Sequence, residues 1–495
     1  MGVNDTQTVI PGTSIPAPEG MFSFPPFRIA GRVSSEAASR RALYGLILVG
    51  GVLVTLAPPV LSAIAIMGIA VLLILLSQPF GALCTLAFSV PFESVRSLQL
   101  GGLNVTTTNM VVFAIAAALI GRSVVSGKIE LGPTPWRAAL LLYGVVLLAS
   151  VSQATDLIGS FKELLKWGQL TLVYLTGATV VQSRRQARIL LMVIFLAVLS
   201  EAAVGVAQTL LHSGPSSFSR GAILRSSGTF DQPNPFAGYL NMTFPLAVAC
   251  LIFRVFPRKL VWLITLVTAA GVFSSLSRGA ELGSIAALAV LFGVMSQRAR
   301  DFLAAAGAAI LILIMLAFIG IIPGSVSEPL ANSVGVGNLD VTNPTPVTWS
   351  VAERLAHMEA GLRMFAAHPI LGVGIGNYPA AYWQYRVEGP WDNPLGHAHN
   401  YFINIAAEAG AIGLVAWIVL LSSGMVICVR AYRRAPDDFG RAMSLGGLGV
   451  LAAFATHMFF DDLLVHGMEA QLGLVMVLVT VAGYRAVDPV PDRSS

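Results

Sequence analysis

The chain alternates long uncharged apolar runs with short polar connections. No Asp, Glu, Lys or Arg occurs from Ala42 to Phe92. A helix crossing a bilayer needs about 20 apolar residues. That run therefore holds two long spans or three short ones, broken near Pro58-Pro59 and Pro79, where the ring removes a backbone donor. Further spans are predicted near 108–121, 136–152, 162–181, 187–211, 236–253, 260–276, 279–297, 302–322, 402–429, 440–460 and 466–484. Two polar stretches stand out: a tail at 1–40 and a loop at 323–401.

Composition agrees with this pattern. The 495 residues are 55% hydrophobic and 11% charged, with mean hydropathy +0.76. Soluble domains carry about 25% charged residues. The short alternating segments of a transmembrane barrel are absent. The expected class is an all-α polytopic membrane protein. The net charge of +5 reflects basic cytoplasmic loops, so nucleic-acid binding is not implied. Cys84, Cys250 and Cys428 lie in separate apolar runs, which argues against a disulfide framework. Residues 1–40 are polar and Pro-rich with no early apolar core, so no cleavable leader is expected and the tail reads as disordered. No P-loop or Gly-rich dinucleotide fingerprint is present.

Basic residues set the expected orientation. Arg28, Arg32, Arg40 and Arg41 place the N-terminus inside, and the loops at Arg184/Arg185/Arg188, Arg254/Arg258/Lys259, Arg298/Arg300 and Arg430/Arg433/Arg434 should be inside too. Three spans in the first run satisfy all of them, whereas two do not. The expectation is 12–14 spans with both ends cytoplasmic: spans over 41–322, an extracytoplasmic loop over 323–401, spans over 402–486 and a tail at 487–495. The outer segments are then 93–107, 153–161, 212–235, a turn near 275–279, 323–401 and 461–465. Arginine should be sparse there, yet Arg220, Arg225, Arg278, Arg354, Arg363 and Arg386 all fall on that side. Arginine near a membrane interior is costly unless paired or lining a cavity.

The outer loop has structure of its own. Ser350 and Glu353 read as a capping box that starts a helix near Val351. Leu355, Met358, Leu362 and Phe365 share one face, and the helix should stop before His368-Pro369. The following Gly372-Val-Gly-Ile-Gly-Asn377 can bring backbone N–H groups close to an anion.

Several residues could carry chemistry. Arg225, in RSSGTFDQPNPFAGYL, is either a surface arginine before a turn or a planar fork for phosphate oxygens. Arg278, in SSLSRGAELG, either binds an anion, snorkels to headgroups, or pairs with Glu281. His399, with Asn400, stands where the outer loop enters an apolar helix. It either flanks the helix or takes a proton from a hydroxyl near neutral pH. His397 and His399 invite a metal only if Asp392 or His368 joins them, and no metal or other cofactor is expected. His457 and Asp461, four apart at the outer end of a late helix, should share a face. They either orient His399 or are simply solvated. Glu408 should pair within the bundle.

Three segments together resemble the family of O-antigen ligases and Wzy-type O-antigen polymerases: RSSGTFDQPNPFAGYL, SLSRGAELG, and HPILGVGIGNYPAAYWQYR with GHAHNYFINIAAEAGAIGL. The likeness covers roughly 205–460. Family ligases show His, a small polar residue, nine residues, Gly, two residues and Gly, Thr or Tyr, matched by His399, Asn400, Gly410 and Gly413. The resemblance implies a GT-C-like helical bundle in the cytoplasmic membrane that works on its extracytoplasmic side. It implies an inverting glycosyltransferase without metal, taking a glycan from undecaprenyl pyrophosphate to a hydroxyl on a lipid-linked or glycan acceptor. It casts Arg225, Arg278 and, more loosely, Arg354 as pyrophosphate ligands and His399 as the base. Asn400, His457 and Asp461 are possible support. Ligase, polymerase and protein O-glycosyltransferase are not separated by the residues. A transporter or flippase for a lipid-linked or anionic substrate is the alternative, although the polar residues gather at helix ends rather than at the midplane.

Overall fold

The computed structural model describes residues 77–95, 97–100, 103–128, 132–220, 223–318, 340–345 and 348–484. The expected tails, most of the first apolar run and the start of the outer loop lie outside the described residues. Each later apolar run falls on helix. In chain order these are α1 (Pro79–Ser89), α2 (Thr107–Ser126), α3 (Arg137–Ser150), α4 (Leu157–Val180), α5 (Arg184–Leu210), α6 (Pro233–Asn241), α7 (Phe244–Ile252), α8 (Arg258–Ser274), α9 (Arg278–Met295) and α10 (Gln297–Phe318). The outer loop supplies α11 (Trp349–Ala367) and α12 (Tyr378–Tyr385), and α13 (Tyr401–Arg434), α14 (Asp438–His457) and α15 (Met468–Tyr484) complete the bundle. Two short antiparallel hairpins, β1 (Ser97–Leu100) with β2 (Leu103–Thr106) and β3 (Ser219–Arg220) with β4 (Ile223–Leu224), are the strands among the described residues. Among the described residues, five stretches are long and apolar enough to cross a membrane. The protein is an all-α membrane protein.

α14 and α15 form the buried centre, and nearly all of their residues are covered by other helices. α14 is rich in small residues (SLGGLGVLAAFA), which let α7, α9 and α13 approach closely. The span expected as one helix over 236–253 is two, α6 and α7, because Pro245 has no N–H to continue the ladder from Asn241.

The connections sort to the two ends of the bundle. Arg184 Nη1 lies 3.6 Å from Asp437 Oδ1, and Arg184 and Arg188 both stack over Phe439, so two of the basic connections meet at one end. The segments expected outside meet at the other. Thr155 N–H donates to Asn377 Oδ1 (2.9 Å), Thr229 Oγ1 to Pro91 O (2.6 Å), and Ser226 N–H to Ser274 O (3.0 Å). Tyr401 N–H donates to Met458 O (2.9 Å).

Two local expectations fail in the outer loop. The Ser350–Glu353 capping box does not form: α11 begins at Trp349 with Thr348 as N-cap, and Thr348 Oγ1 is engaged with Thr345. α11 ends at Ala367, as His368-Pro369 requires. It buries Ala352, Ala356, Ala360 and Met364, while Leu355 and Leu362 are exposed. The small residues decide the packed face because they let α11 lie close against α13.

Candidate active site

The histidine motif is built by a break in α13. Asn400 caps the helix, its Oδ1 accepting from Phe402 N (2.9 Å) and Ile403 N (3.1 Å). This is a structural task, and it leaves His399 just before the cap with φ 52°. A left-handed non-glycine residue costs about 1–3 kcal/mol and persists where its surroundings hold it, commonly at functional sites. Ten residues on, Gly410 has φ 67° and ψ −166° inside the helix. A Cβ there would lie 2.1 Å from Ile370 O, so the outer loop can close on the helix only over glycine.

The GVGIGN stretch does close on an acidic side chain, but one belonging to the protein. Val373 and Gly374 N–H donate to Ala407 O and Glu408 O (both 2.9 Å) across the break. The Glu408 carboxylate accepts from Tyr378 N (2.9 Å) and from Gly376 N. Glu408 Oε2 also accepts from Asn404 Nδ2 (3.2 Å), and Asn404 Oδ1 accepts from Ala398 N (3.1 Å). Glu408 thus pairs within the bundle, as expected, and through this chain fixes the backbone just before His399.

The His399 ring faces Asp461, with Nδ1 3.6 Å from Oδ1. His397 Nε2 lies 3.7 Å from the same oxygen. His397 Nδ1 accepts from the His399 backbone N–H (3.1 Å), so a neutral His397 carries its proton on the nitrogen facing Asp461. Asp461 Oδ2 accepts from Asn234 Nδ2 (2.6 Å), and Asn234 Oδ1 accepts from Arg225 Nη2 (3.1 Å). Arg225 Nε donates to Ser275 O (2.7 Å), three residues before Arg278. Ser277 Oγ lies 3.4 Å from His457 Nε2, and the charge of Arg354 acts on His457. Arg225, Arg354, His399, His457 and Asp461 are therefore linked, and the backbone at Arg278 adjoins them, with Gly279 against the His457 ring. Arg363 and Arg386 are not among them: Arg363 pairs with Glu359, and Arg386 with Asp392. Only the backbone of Arg220 is described, in β3.

Asp461 does not share a helix face with His457. α14 ends at His457 and the chain turns, so Asp461 lies in the connection to α15, held by Asn234. Burial alone would raise its carboxyl, but the facing rings of His399 and His397 and the hydrogen bond from Asn234 outweigh it. The group is held well below the usual carboxylate range and is ionised at neutral pH. An Nδ1–H directed at this carboxylate leaves the His399 Nε2 lone pair to take a proton. Neither ring nitrogen has a hydrogen-bond partner among the described residues, and 17% of the side chain is open.

His397, His399 and Asp461 place three donor atoms within 4.8 Å of one another, a set that could hold a metal ion. The third donor is not one of those the sequence suggested. Asp392 is paired with Arg386, and His368 Nε2 lies 3.1 Å from Tyr385 Oη in the outer loop.

Sequence reasoning missed Asn234 and His357. Asn234 is one of many turn residues before a proline. His357 sits on the alanine face of α11, stacked on Tyr382 at 4.7 Å and edge-on to His399 at 5.7 Å. Tyr378 Oη donates to His357 O (2.7 Å) and lies 3.2 Å from Nδ1. Burial, aided by the charges of His399 and His397, brings the His357 pKa down from 6.5 to about 4. Above pH 6.5 this has no effect on stability. Between 6.5 and 4 the unfolded chain takes a proton that the folded chain refuses, so stability falls by about 2–3 kcal/mol. Thermal unfolding followed from pH 7 to pH 4 should show this loss, and His357→Gln should flatten it.

The molecule so described is a helical membrane protein with a basic and imidazole-bearing site at the helix ends. Residues 263–418 match a protein-family model described as O-antigen ligase. No curated protein matches the chain significantly. The matched segment contains Arg278, Arg354, His357, His397 and His399, whereas Arg225, Asn234, His457 and Asp461 lie outside it.

Proposed function

We propose that the chain is an inverting, metal-independent glycosyltransferase. It moves a glycan from undecaprenyl pyrophosphate to a sugar hydroxyl at the outer face of the cytoplasmic membrane, as an O-antigen ligase or surface-polysaccharide polymerase. The observation that carries this reading is the relay from His399 through Asp461 and Asn234 to Arg225. It couples a proton acceptor on the α13 side to an anion-binding group beside α6.

The chemistry follows from these groups. The acceptor O–H approaches the anomeric carbon from the face opposite the pyrophosphate. Its proton passes to His399 Nε2 as the new C–O bond forms. The old bond to the pyrophosphate oxygen breaks, and both its electrons leave with the diphosphate. Arg225, Arg278 and Arg354 meet that growing charge, and preorganised donors in a water-poor site are commonly the largest catalytic contribution. Asp461 stabilises the imidazolium that results. The leaving group is already activated, so no nucleotide is required.

The test is incubation of the purified protein with an undecaprenyl-pyrophosphate glycan and lipid A-core, with and without EDTA. Transfer should continue unchanged in EDTA. Loss on chelation with recovery on adding a divalent cation would make His397, His399 and Asp461 metal ligands and end the general-base reading. Donor binding with no transfer would favour a flippase.

A further inference from the structure

The charges around the His399–Asp461 pair are not of one kind. On the His457 side stand Arg278 and Arg354. On the His397 side stands α4, which carries Glu163 and Lys166 with Oε1 and Nζ 2.5 Å apart. Lys166 is nine residues into the helix, about 14 Å along its axis. A lysine so far down a membrane bundle points to function by default. It is not sealed: 28% of the Lys166 side chain and 23% of Glu163 remain open, as does 22% of His397.

Four further facts tie this pair to the site. The charge of Lys166 acts on His397 and His466, and it is answered by Asp462 and Glu469 as well as Glu163. Asp462 directly follows Asp461, and its backbone N–H donates to Asp461 Oδ1 (3.0 Å). The Glu163 stem lies against Gly376 of the stretch that fixes Glu408. Glu469, 5% exposed, has an Oε2 with no hydrogen-bond partner among the described residues. The charge of Glu93 acts on it, and Glu93 Oε2 is likewise without a hydrogen-bond partner among the described residues.

The donor's diphosphate does not fit here, because Lys166 is already paired with Glu163 and an anion would face Glu163 and Asp462. Hydroxyl groups do fit. Carboxylates accept from them and an ammonium donates to their oxygens. We propose that Glu163, Lys166 and Asp462 form the acceptor subsite, and that it takes an uncharged, hydroxyl-bearing sugar rather than a phosphorylated one. This rests on the glycosyl-transfer reading above. It divides the site by charge: anionic donor against the arginines, neutral acceptor against α4, and the imidazole between them.

The experiment uses the full chain in lipid nanodiscs with the undecaprenyl-pyrophosphate glycan and lipid A-core. Glu163→Gln alone strands the lysine charge in a low-dielectric setting. The double variant Glu163→Gln/Lys166→Gln leaves no lone charge and is the main test, with Asp462→Asn as the second. Each should raise the acceptor KM about 10–100-fold, through loss of hydrogen bonds to charged groups, and leave the donor KM unchanged. Methyl glucoside should compete with the acceptor, and glucose 6-phosphate should not. A changed donor KM, an unchanged acceptor KM, or equal competition by glucose 6-phosphate would overturn the proposal while transfer by the wild type stands. Absence of any transfer by the wild type would instead remove the reading beneath it, and the proposal with it.

Discussion

Replacing His399 with alanine should lower glycan transfer about 10²–10⁴-fold, the usual contribution of a positioned base. Donor binding should change little, because the arginines proposed to hold the diphosphate remain. His399 is 17% open, and neither ring nitrogen is hydrogen-bonded within the described residues, so its removal leaves little else unsatisfied. The effect should therefore appear in kcat and not in thermal stability. Single-turnover transfer from a radiolabelled donor, alongside a direct donor-binding measurement, separates the two. Full activity in His399→Ala would show that the acceptor needs no base here. Loss of donor binding in step with activity would show that the ring serves the donor and not the acceptor.

Arg225→Ala should cost about 10²–10³-fold in kcat/KM for the donor, the range found when one donor to a developing anion is removed. The loss has two sources. One is the charge that meets the leaving diphosphate. The other is the grip on Asn234 Oδ1, which holds Asn234 Nδ2 against Asp461. Arg225→Lys should recover only part of it. An ammonium carries the charge, but it cannot reproduce the planar fork that reaches Ser275 O and Asn234 together. Initial rates at varied donor concentration for wild type, Arg225→Ala and Arg225→Lys decide this. If lysine restores the wild-type rate, the geometric half of the argument is wrong. If alanine does, so is the electrostatic half.

The apolar runs were legible because a bilayer allows few answers. Backbone groups in hydrocarbon must be satisfied within the segment, so a long uncharged run is a helix. That constraint located the later helices to within a few residues, and charge asymmetry singled out six arginines, of which Arg363 and Arg386 pair with acidic neighbours elsewhere. The likeness to the ligase histidine pattern marked His399, Asn400 and Gly410, and a helix cap and a glycine-permitted break are local events. Where local rules competed with packing, they lost. Thr345 drew Thr348 into an earlier helix start than Ser350 would have given. Pro245 split a run that hydropathy alone reads as continuous.

The amino-acid sequence by itself determined the class of protein, the helices and the side chains with chemistry to offer. Each of these follows from the solvent or from neighbours a few residues away. Only the tertiary structure decided which of those side chains meet. Asp461 faces His399 because α14 ends and turns, and because Asn234, at the start of α6, holds the carboxylate. Glu408 answers the glycine stretch, and Glu163 with Lys166 comes to the flank of His397, through contacts between distant segments. Such contacts leave no period or spacing behind: before folding, a carboxylate that will orient an imidazole looks the same as one that will face water.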